Sequence, residues 1–413
     1  MSHDLVVRNA RLTGADERTD LAVNDGEITV VGPVPGPGRR EIDAEGGLVA
    51  GGLVDPHVHL DKALLADDLP ANESRTLGEA IRLDTDRKRG ESVEAVRERA
   101  ERAIELHVEH GCTRLRTHVD VDPVGELTAL QGVLAAREAC ADIADVQVVA
   151  FPQNGLHRAP GTEALLAEAL EHDVDAVGAI PAIERTEDAV KGQVDALLSL
   201  AAEYDVELDA HVDETDDPTA RSLEYLAARA LDTDVPVTVG HACALAGYDE
   251  THAGRVIDLV AEADLTVITS PGTNMLLQGR DDRHPKRRGL TRIDQLRAAG
   301  VTIAAGQDNI RDAFYKYNRG DMLETAYLVA HAAHLQAPAE RRAAWRMVTE
   351  NAASVMGVEH GVQEEYPAVF NVFSPAVSTP TDALRERIPP RAVVHHGSVV
   401  AETTIEKRLR RGE

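Results

Sequence analysis

The chain has 413 residues, 43% of them hydrophobic and 28% charged, and its 71 acidic against 43 basic side chains give a formal net charge of −28. That length exceeds one ordinary compact core and suits a large barrel with a smaller module, while the charge excludes polyanionic partners such as nucleic acid and anionic membranes. No apolar run is long enough to span a bilayer, MSHDLVVRNARL lacks a basic segment followed by an apolar one, and Cys112, Cys140 and Cys243 are scattered with no CxxC, so a cytoplasmic protein with reduced, buried thiols is expected.

In chain order, residues 3–52 read as short strands joined by turns: LVVRNARL, DLAVNDGEITVVG, REIDAEGGLVAGG. Between Val54 and Asp308 the pattern changes to apolar β-branched runs alternating with helical stretches, such as Ala95, Ala100, Ala103, Ile104 and His107 at three- and four-residue spacing. Eight strand ends fall near His57, His118, Phe151, Ile180, His211, Gly240, Thr269 and Gly306, the count for a closed (β/α)8 TIM-like barrel. The alternative, an open doubly wound sheet, expects a glycine-rich phosphate turn after its first strand, and GGLVDPHVHLDKALL is not one. Residues 62–78 form a candidate active-site loop. The strand style resumes at Ala368–Phe373 and Ala392–Ala401. The division is therefore a small composite β-sandwich from both termini, residues 1–53 and 360–413, around an α/β barrel at 54–359. The last residues, EKRLRRGE, read as a frayed charged end. The acids are spread along the chain, aromatics are few, and lysine is confined to Lys62, Lys88, Lys191, Lys286, Lys316 and Lys407. This composition predicts a halophilic surface suited to a salt-rich cytoplasm, the plainer alternative being an acidic protein whose codon usage replaces Lys by Arg.

The first barrel strand ends in Asp55-Pro56-His57-Val58-His59, and residues two apart in a strand share a face, so His57 and His59 both point into the barrel at its carboxyl end. Alone, such a pair is a weak signal. VELDAHVDE adds His211 and Glu214, VPVTVGHA adds His241, and VTIAAGQDN adds Asp308, all at strand ends. His57, His59, His211 and Asp308 would hold one divalent ion, Zn²⁺ or Fe²⁺, and leave a position for water whose pKa the ion lowers. Asp308 and His241 can hydrogen-bond the resulting hydroxide, and Glu214 can carry a proton to the leaving side of a substrate. A purely structural metal site is the poorer reading, since such sites are closed and cysteine-rich. The histidines in helical stretches, His107, His110, His172, His252, His331 and His334, read as surface or packing residues.

The segments PHVHLDK, RLRTHVDV, VVAFPQNG, DAVGAIPAIE, DAHVDETDD, GHA, NMLLQGRDDRHPKRRGLTR and GQDNIRDAFY resemble bacterial cytosine deaminases of the amidohydrolase superfamily, over nearly the whole chain. That resemblance implies deamination of cytosine to uracil and ammonia by attack of metal-bound hydroxide, with Gln153 binding the ring carbonyl and an adjacent ring nitrogen. It implies a small nucleobase-like substrate, and a homo-oligomer is expected. Three positions depart from the cytosine-specific pattern: Asn309 replaces a second Asp, Phe314 replaces a Trp near the mouth, and Lys62 follows the HxHLD. Asn309 and Phe314 are kept as substrate-binding candidates, and Lys62 is read as a salt-bridged loop residue. DNIRD resembles relatives acting on other rings, including N-alkylammelide hydrolases, so isocytosine-like, isoguanine-like or alkylamino-triazine substrates stand as alternatives. A non-catalytic ligand-binding barrel is the remaining one. The basic cluster Pro285–Gly289 is read as pairing with nearby acids such as Asp281 and Asp282, or as a subunit contact, ahead of phosphate binding.

Overall fold

The computed structural model describes residues 2–74 and 76–410, so the final three residues of the charged end expected to fray lie outside the described residues. Eight strands make the central sheet: β1 (Leu53–Val58), β2 (Cys112–Asp120), β3 (Asp145–Phe151), β4 (Ala176–Ala179), β5 (Glu207–Val212), β6 (Val237–His241), β7 (Thr266–Thr269) and β8 (Ile303–Ala305). Each pairs in parallel with its successor in the chain. A parallel bridge between Val58 and Asp308 joins the far side of β8 back to β1. Around it the His59 N–H donates to the Asp308 carbonyl at 2.9 Å, and the Asp308 N–H to the His57 carbonyl at 2.7 Å. The sheet therefore closes into a (β/α)8 barrel. Strands β1 and β2 are buried at every position, as parallel strands covered on both faces must be.

The helix Val93–Glu109 shows how the sequence builds the outer ring. Ser92 caps it by accepting the Ala95 N–H, and Val96, Ala100, Ala103, Ile104 and His107 form its buried stripe. Ala95, counted on that stripe by periodicity, lies in the first turn and is exposed. Strand β2 runs to Asp120, two residues past the expected end at His118. There its ladder with β3 continues through Asp120 opposite Phe151, and the Asp120 N–H finds the Asp61 carboxylate at 3.2 Å.

The described residues between β1 and Thr76 are irregular, and the Thr76 hydroxyl accepts the Glu79 N–H and starts the helix Leu77–Lys88. The last residues of the expected 62–78 loop are thus helical. This helix contributes Ala80, Ile81 and Leu83 to a small apolar cluster with Ala313 and Phe314, with Leu69 and Ile183 at its edge. It stands beside the barrel mouth, against the loops that follow β4 and β8.

The second sheet also has eight strands: His3–Leu12, Arg18–Asn24, Glu27–Val31, Gly38–Asp43 and Leu48–Gly51 from the N-terminal side, and Phe370–Val372, Ala392–His395 and Ser398–Glu402 from the C-terminal side. Gly38–Asp43 pairs with His3–Arg8, whereas Leu48–Val49 pairs with Arg11–Leu12. The sheet therefore forks and wraps a core of its own, which includes Leu5, Leu21, Ile28, Val49, Phe370 and Val394. Among the described residues no helix is long and apolar enough to cross a membrane.

Candidate active site

The carboxyl ends of β1, β5, β6 and β8 deliver five donors to one point. The Nε2 atoms of His57 and His211 are 3.1 Å apart, and those of His59 and His211 are 3.2 Å apart. Asp308 Oδ1 stands 3.4 Å from His59 Nε2 and 3.7 Å from His57 Nε2. His241 also converges, one ring nitrogen lying within 4.8 Å of the ligand atoms of His57, His211 and Asp308. All five residues are buried. Two glycines make the approach possible. A Cβ on Gly240 would meet the His57 ring at 2.8 Å, and one on Gly306 would meet His57 Cβ and its carbonyl oxygen at 2.7 Å. His241 and Asp308 both hold left-handed backbone, with φ of 70° and 64°, as the chain leaves each strand. Such conformations are costly for non-glycine residues and gather at functional sites.

This donor set fits a divalent cation. The His59 Nδ1 faces the His118 carbonyl at 3.0 Å and must donate to it, so its Nε2 is the atom turned to the cluster, where the Asp308 carboxylate favours positive charge. Burial and neighbouring rings hold His57 and His211 well below the usual imidazole range, so both are neutral. Imidazole lone pairs packed 3.1–3.2 Å apart in a buried site repel unless protons or a cation lie between them. Among the described residues the buried His241 Nε2 has no hydrogen-bond partner. Three imidazole nitrogens and a carboxylate oxygen match a borderline ion such as Zn²⁺ or Fe²⁺.

Glu214 lies beside this cluster. Its Oε1 accepts from Asn274 Nδ2 at 3.0 Å and lies 3.8 Å from His241 Nδ1. The Asn274 side chain also touches His241 Nδ1, so one amide ties the two groups together. Burial pushes the Glu214 carboxyl up to about 7, with His241 drawing it down and the Asp308 charge adding to the rise. A carboxyl at that value gains and loses a proton readily near neutral pH.

The other residues predicted to contact substrate, Gln153, Asn309 and Phe314, are buried and follow β3 and β8 in the chain. Gln153, buried after β3, accepts from Lys62 Nζ at 3.1 Å through Oε1. An ammonium has only donors, so this contact fixes the amide: its oxygen faces Lys62 and its NH₂ faces away. Lys62 is a salt-bridged residue, as expected, but a deeply buried one. It lies 2.6 Å from Asp120 and 5.8 Å from the centre of the Phe314 ring. Lys88 holds Asp120 and Asp122 from the other side at 2.8 and 2.6 Å. The Asn309 amide is occupied at both ends, donating to Asp312 at 2.8 Å and accepting from Thr273 at 3.3 Å. Burial pushes Asp312 up to about 6. In the basic cluster Arg287 pairs with Asp282 at 2.8 Å and Asp216 at 3.5 Å, in line with ion pairing to nearby acids.

Sequence reasoning missed several neighbours. His118 packs its ring 4.2 Å from that of His57 and meets Asp209 at 3.0 Å. Its signal was available, since His118 closes a strand and Asp209 stands two residues before His211, on the same face. Asn274 and Thr273 lie on the short helix Pro271–Leu277, where no spacing marks them. Of the helical histidines, His107 is fully buried and bonds Asp55 at 3.1 Å, a packing role.

The profile of the Amidohydrolase family matches residues 40–401. A 5-methylcytosine deaminase from Klebsiella pneumoniae, solved with 5-fluorocytosine, is 33% identical and superposes with a TM-score of 0.93 over 98% of this chain and 99% of its own. The pterin deaminase of Rhizobium rhizogenes is 33% identical over 82% of this chain and 78% of its own length. The N-isopropylammelide isopropyl amidohydrolase of Pseudomonas sp. (strain ADP) is 28% identical over 97% of this chain and 98% of its own.

Proposed function

Because the chain belongs to the Amidohydrolase family, we propose that it is a divalent-metal-dependent aminohydrolase that converts cytosine, or a 5-substituted cytosine, and water to the corresponding uracil and ammonia. The C4–N bond breaks, a C4–O bond forms, and of the water's two protons one ends on the ring nitrogen and the other on the departing ammonia. The observation that carries this reading is Glu214, a carboxyl whose side chain is only 9% exposed and which is poised at about 7 beside His241 and Asp308. A divalent ion on His57, His59, His211 and Asp308 would supply Lewis acidity and acidify a water at the ring carbon. Glu214 Oε1 carries one proton from the water to the ring nitrogen and then a second to the leaving nitrogen. Asn274 keeps that oxygen aligned with His241, whose Nε2 is free to orient the incoming water. Gln153 offers its NH₂ to the ring carbonyl, with Lys62 behind it making the amide a stronger donor. Phe314 and the helix Leu77–Lys88 wall the ring from solvent.

The test is ammonia release over cytosine, 5-methylcytosine, isocytosine, pterin and an N-alkylammelide, with the metal content of the same preparation determined. The reading expects the highest kcat/KM on a cytosine ring. Release of an alkylamine from the triazine, with no ammonia from any pyrimidine, overturns it. That second reading draws on the 28% identity with the N-isopropylammelide isopropyl amidohydrolase over 97% of this chain.

A further inference from the structure

At the opposite end of the barrel from the carboxyl-end site, three side chains converge where the barrel meets the terminal sheet. Asp145 opens β3. His395 closes the strand Ala392–His395, and His396 follows it. His395 Nε2 lies 3.5 Å and His396 Nε2 3.3 Å from the same carboxylate oxygen, Asp145 Oδ1. One ligand atom from each residue lies within 4.8 Å of the other two. From the geometry we propose a second divalent-cation site here, formed by Asp145, His395 and His396, that takes a borderline ion such as Zn²⁺ and ties the C-terminal strands to the barrel.

Consecutive residues of an extended strand point to opposite faces. These two do not, because His396 has φ of 43°, which turns the chain and brings the rings to a centroid distance of 4.4 Å. The independent observation is His395. It is 1% exposed, and among the described residues neither of its ring nitrogens has a hydrogen-bond partner. Buried imidazoles satisfy their nitrogens, and an ion at Nε2 would satisfy this one. The carboxylate is divided as in built metal sites: Arg114 Nε approaches Oδ2 at 3.4 Å, and Oδ1 is left to face both histidines. Two imidazoles and a carboxylate select a borderline ion over Mg²⁺ or Ca²⁺, and the half-exposed His396 leaves room for water in the remaining positions. The residues joined are far apart in sequence, so an ion would close a long loop and resist separation of the terminal sheet.

The experiment is equilibrium dialysis of the full-length protein, as purified, against micromolar zinc sulfate, with all transition metals counted by mass spectrometry. The wild type should hold two ions per chain, whereas His396→Ala and Asp145→Asn should each hold one and keep wild-type turnover. Asp308→Ala should lose the other ion and keep this one. Thermal unfolding adds a second readout: saturation with zinc should raise the wild-type midpoint above that of His396→Ala by a few degrees. A total of one ion per wild-type chain overturns the proposal. So does a second ion that persists in the doubly substituted Asp145→Asn, His396→Ala protein.

Discussion

At the scale of single residues, the Glu214 carboxyl and the Asn309 amide make separable predictions. Glu214 is tied to His241 through Asn274 and is not among the proposed metal ligands. Glu214→Gln keeps the shape and removes the proton carrier, so turnover should fall about 10²–10⁴-fold on every ring while metal content is unchanged. Near-normal turnover would remove Glu214 from the mechanism. Asn309→Asp exchanges the donor that faces Asp312 at 2.8 Å for a second buried carboxylate. Two such groups share a proton, and burial already raises Asp312 to about 6. Raised folded-state values mean that the native state binds more protons than the unfolded chain. Stability is therefore lost as pH rises from about 4 through the folded value. The variant's deficit relative to wild type should grow from pH 5 to pH 8 and reach about 1–3 kcal/mol, read from denaturant midpoints. A deficit independent of pH would mean that the pair does not form. His57, His59, His211, His241 and Asp308 were legible because strand periodicity aims alternate residues inward and barrels gather their chemistry at one end. Asn274 and Asp312 were not, because they reach the site from a short helix and a loop whose paths no periodicity encodes. Lys62 was legible as an ion-paired residue. Its burial was not, because that depends on Asp120 and Lys88, which are remote in sequence.

At the scale of elements, the helix Leu77–Lys88 is the part that a strand-then-helix count overlooks. A barrel repeat needs one helix between β1 and β2, and Val93–Glu109 supplies it. The extra helix was hidden in the expected 62–78 loop and its continuation, whose polar spacing RLDTDRK gives little sign of a buried face. Its burial comes from charge as well as from apolar contact. Lys88 is nearly fully buried, and Asp84, Asp120 and Asp122 hold it protonated against desolvation. Lys88→Met leaves Asp120 and Asp122 short of a partner in a dry place, which costs about 3–5 kcal/mol by the usual toll of breaking a buried pair. Because Asp120 also holds Lys62, and Lys62 holds Gln153, the same variant should raise KM more than it lowers kcat. Unfolding midpoints together with steady-state constants on the best ring check this. A stable variant with unchanged KM would show that the helix merely shields the mouth. The terminal sheet was legible as strands in both end segments, but its fork was not. Pairing of Gly38–Asp43 and Leu48–Gly51 with one edge of His3–Leu12 is settled by packing, not by local pattern.

At the scale of the whole molecule, the net charge of −28 sets how the fold responds to salt. Every basic side chain could pair with an acid, and the excess acids would still repel one another. Salt acts on this surface in two opposed ways. It weakens exposed ion pairs such as Arg82 with Asp86 and Arg102 with Glu109, each worth about 0–1 kcal/mol. It also screens the repulsion among unmatched carboxylates, which sums over the whole surface and persists at long range in dilute buffer. The Debye length shrinks from about 10 Å at 0.1 M to about 3 Å at 1 M. Repulsion between distant acids is therefore removed, while pairs in contact are only reduced. Screening wins, and the unfolding midpoint should rise by several degrees between about 0.05 M and 1 M KCl, flattening above that. The shape of the curve separates screening from salting-out, which continues to climb above 1 M and does so more strongly for sulfate than for chloride. A midpoint that is flat across the KCl series means that the acids are already paired or too dispersed to matter. The halophilic reading then fails while the barrel and its site stand. A rise that comes only with sulfate assigns the effect to surface exclusion and also removes the charge from the explanation.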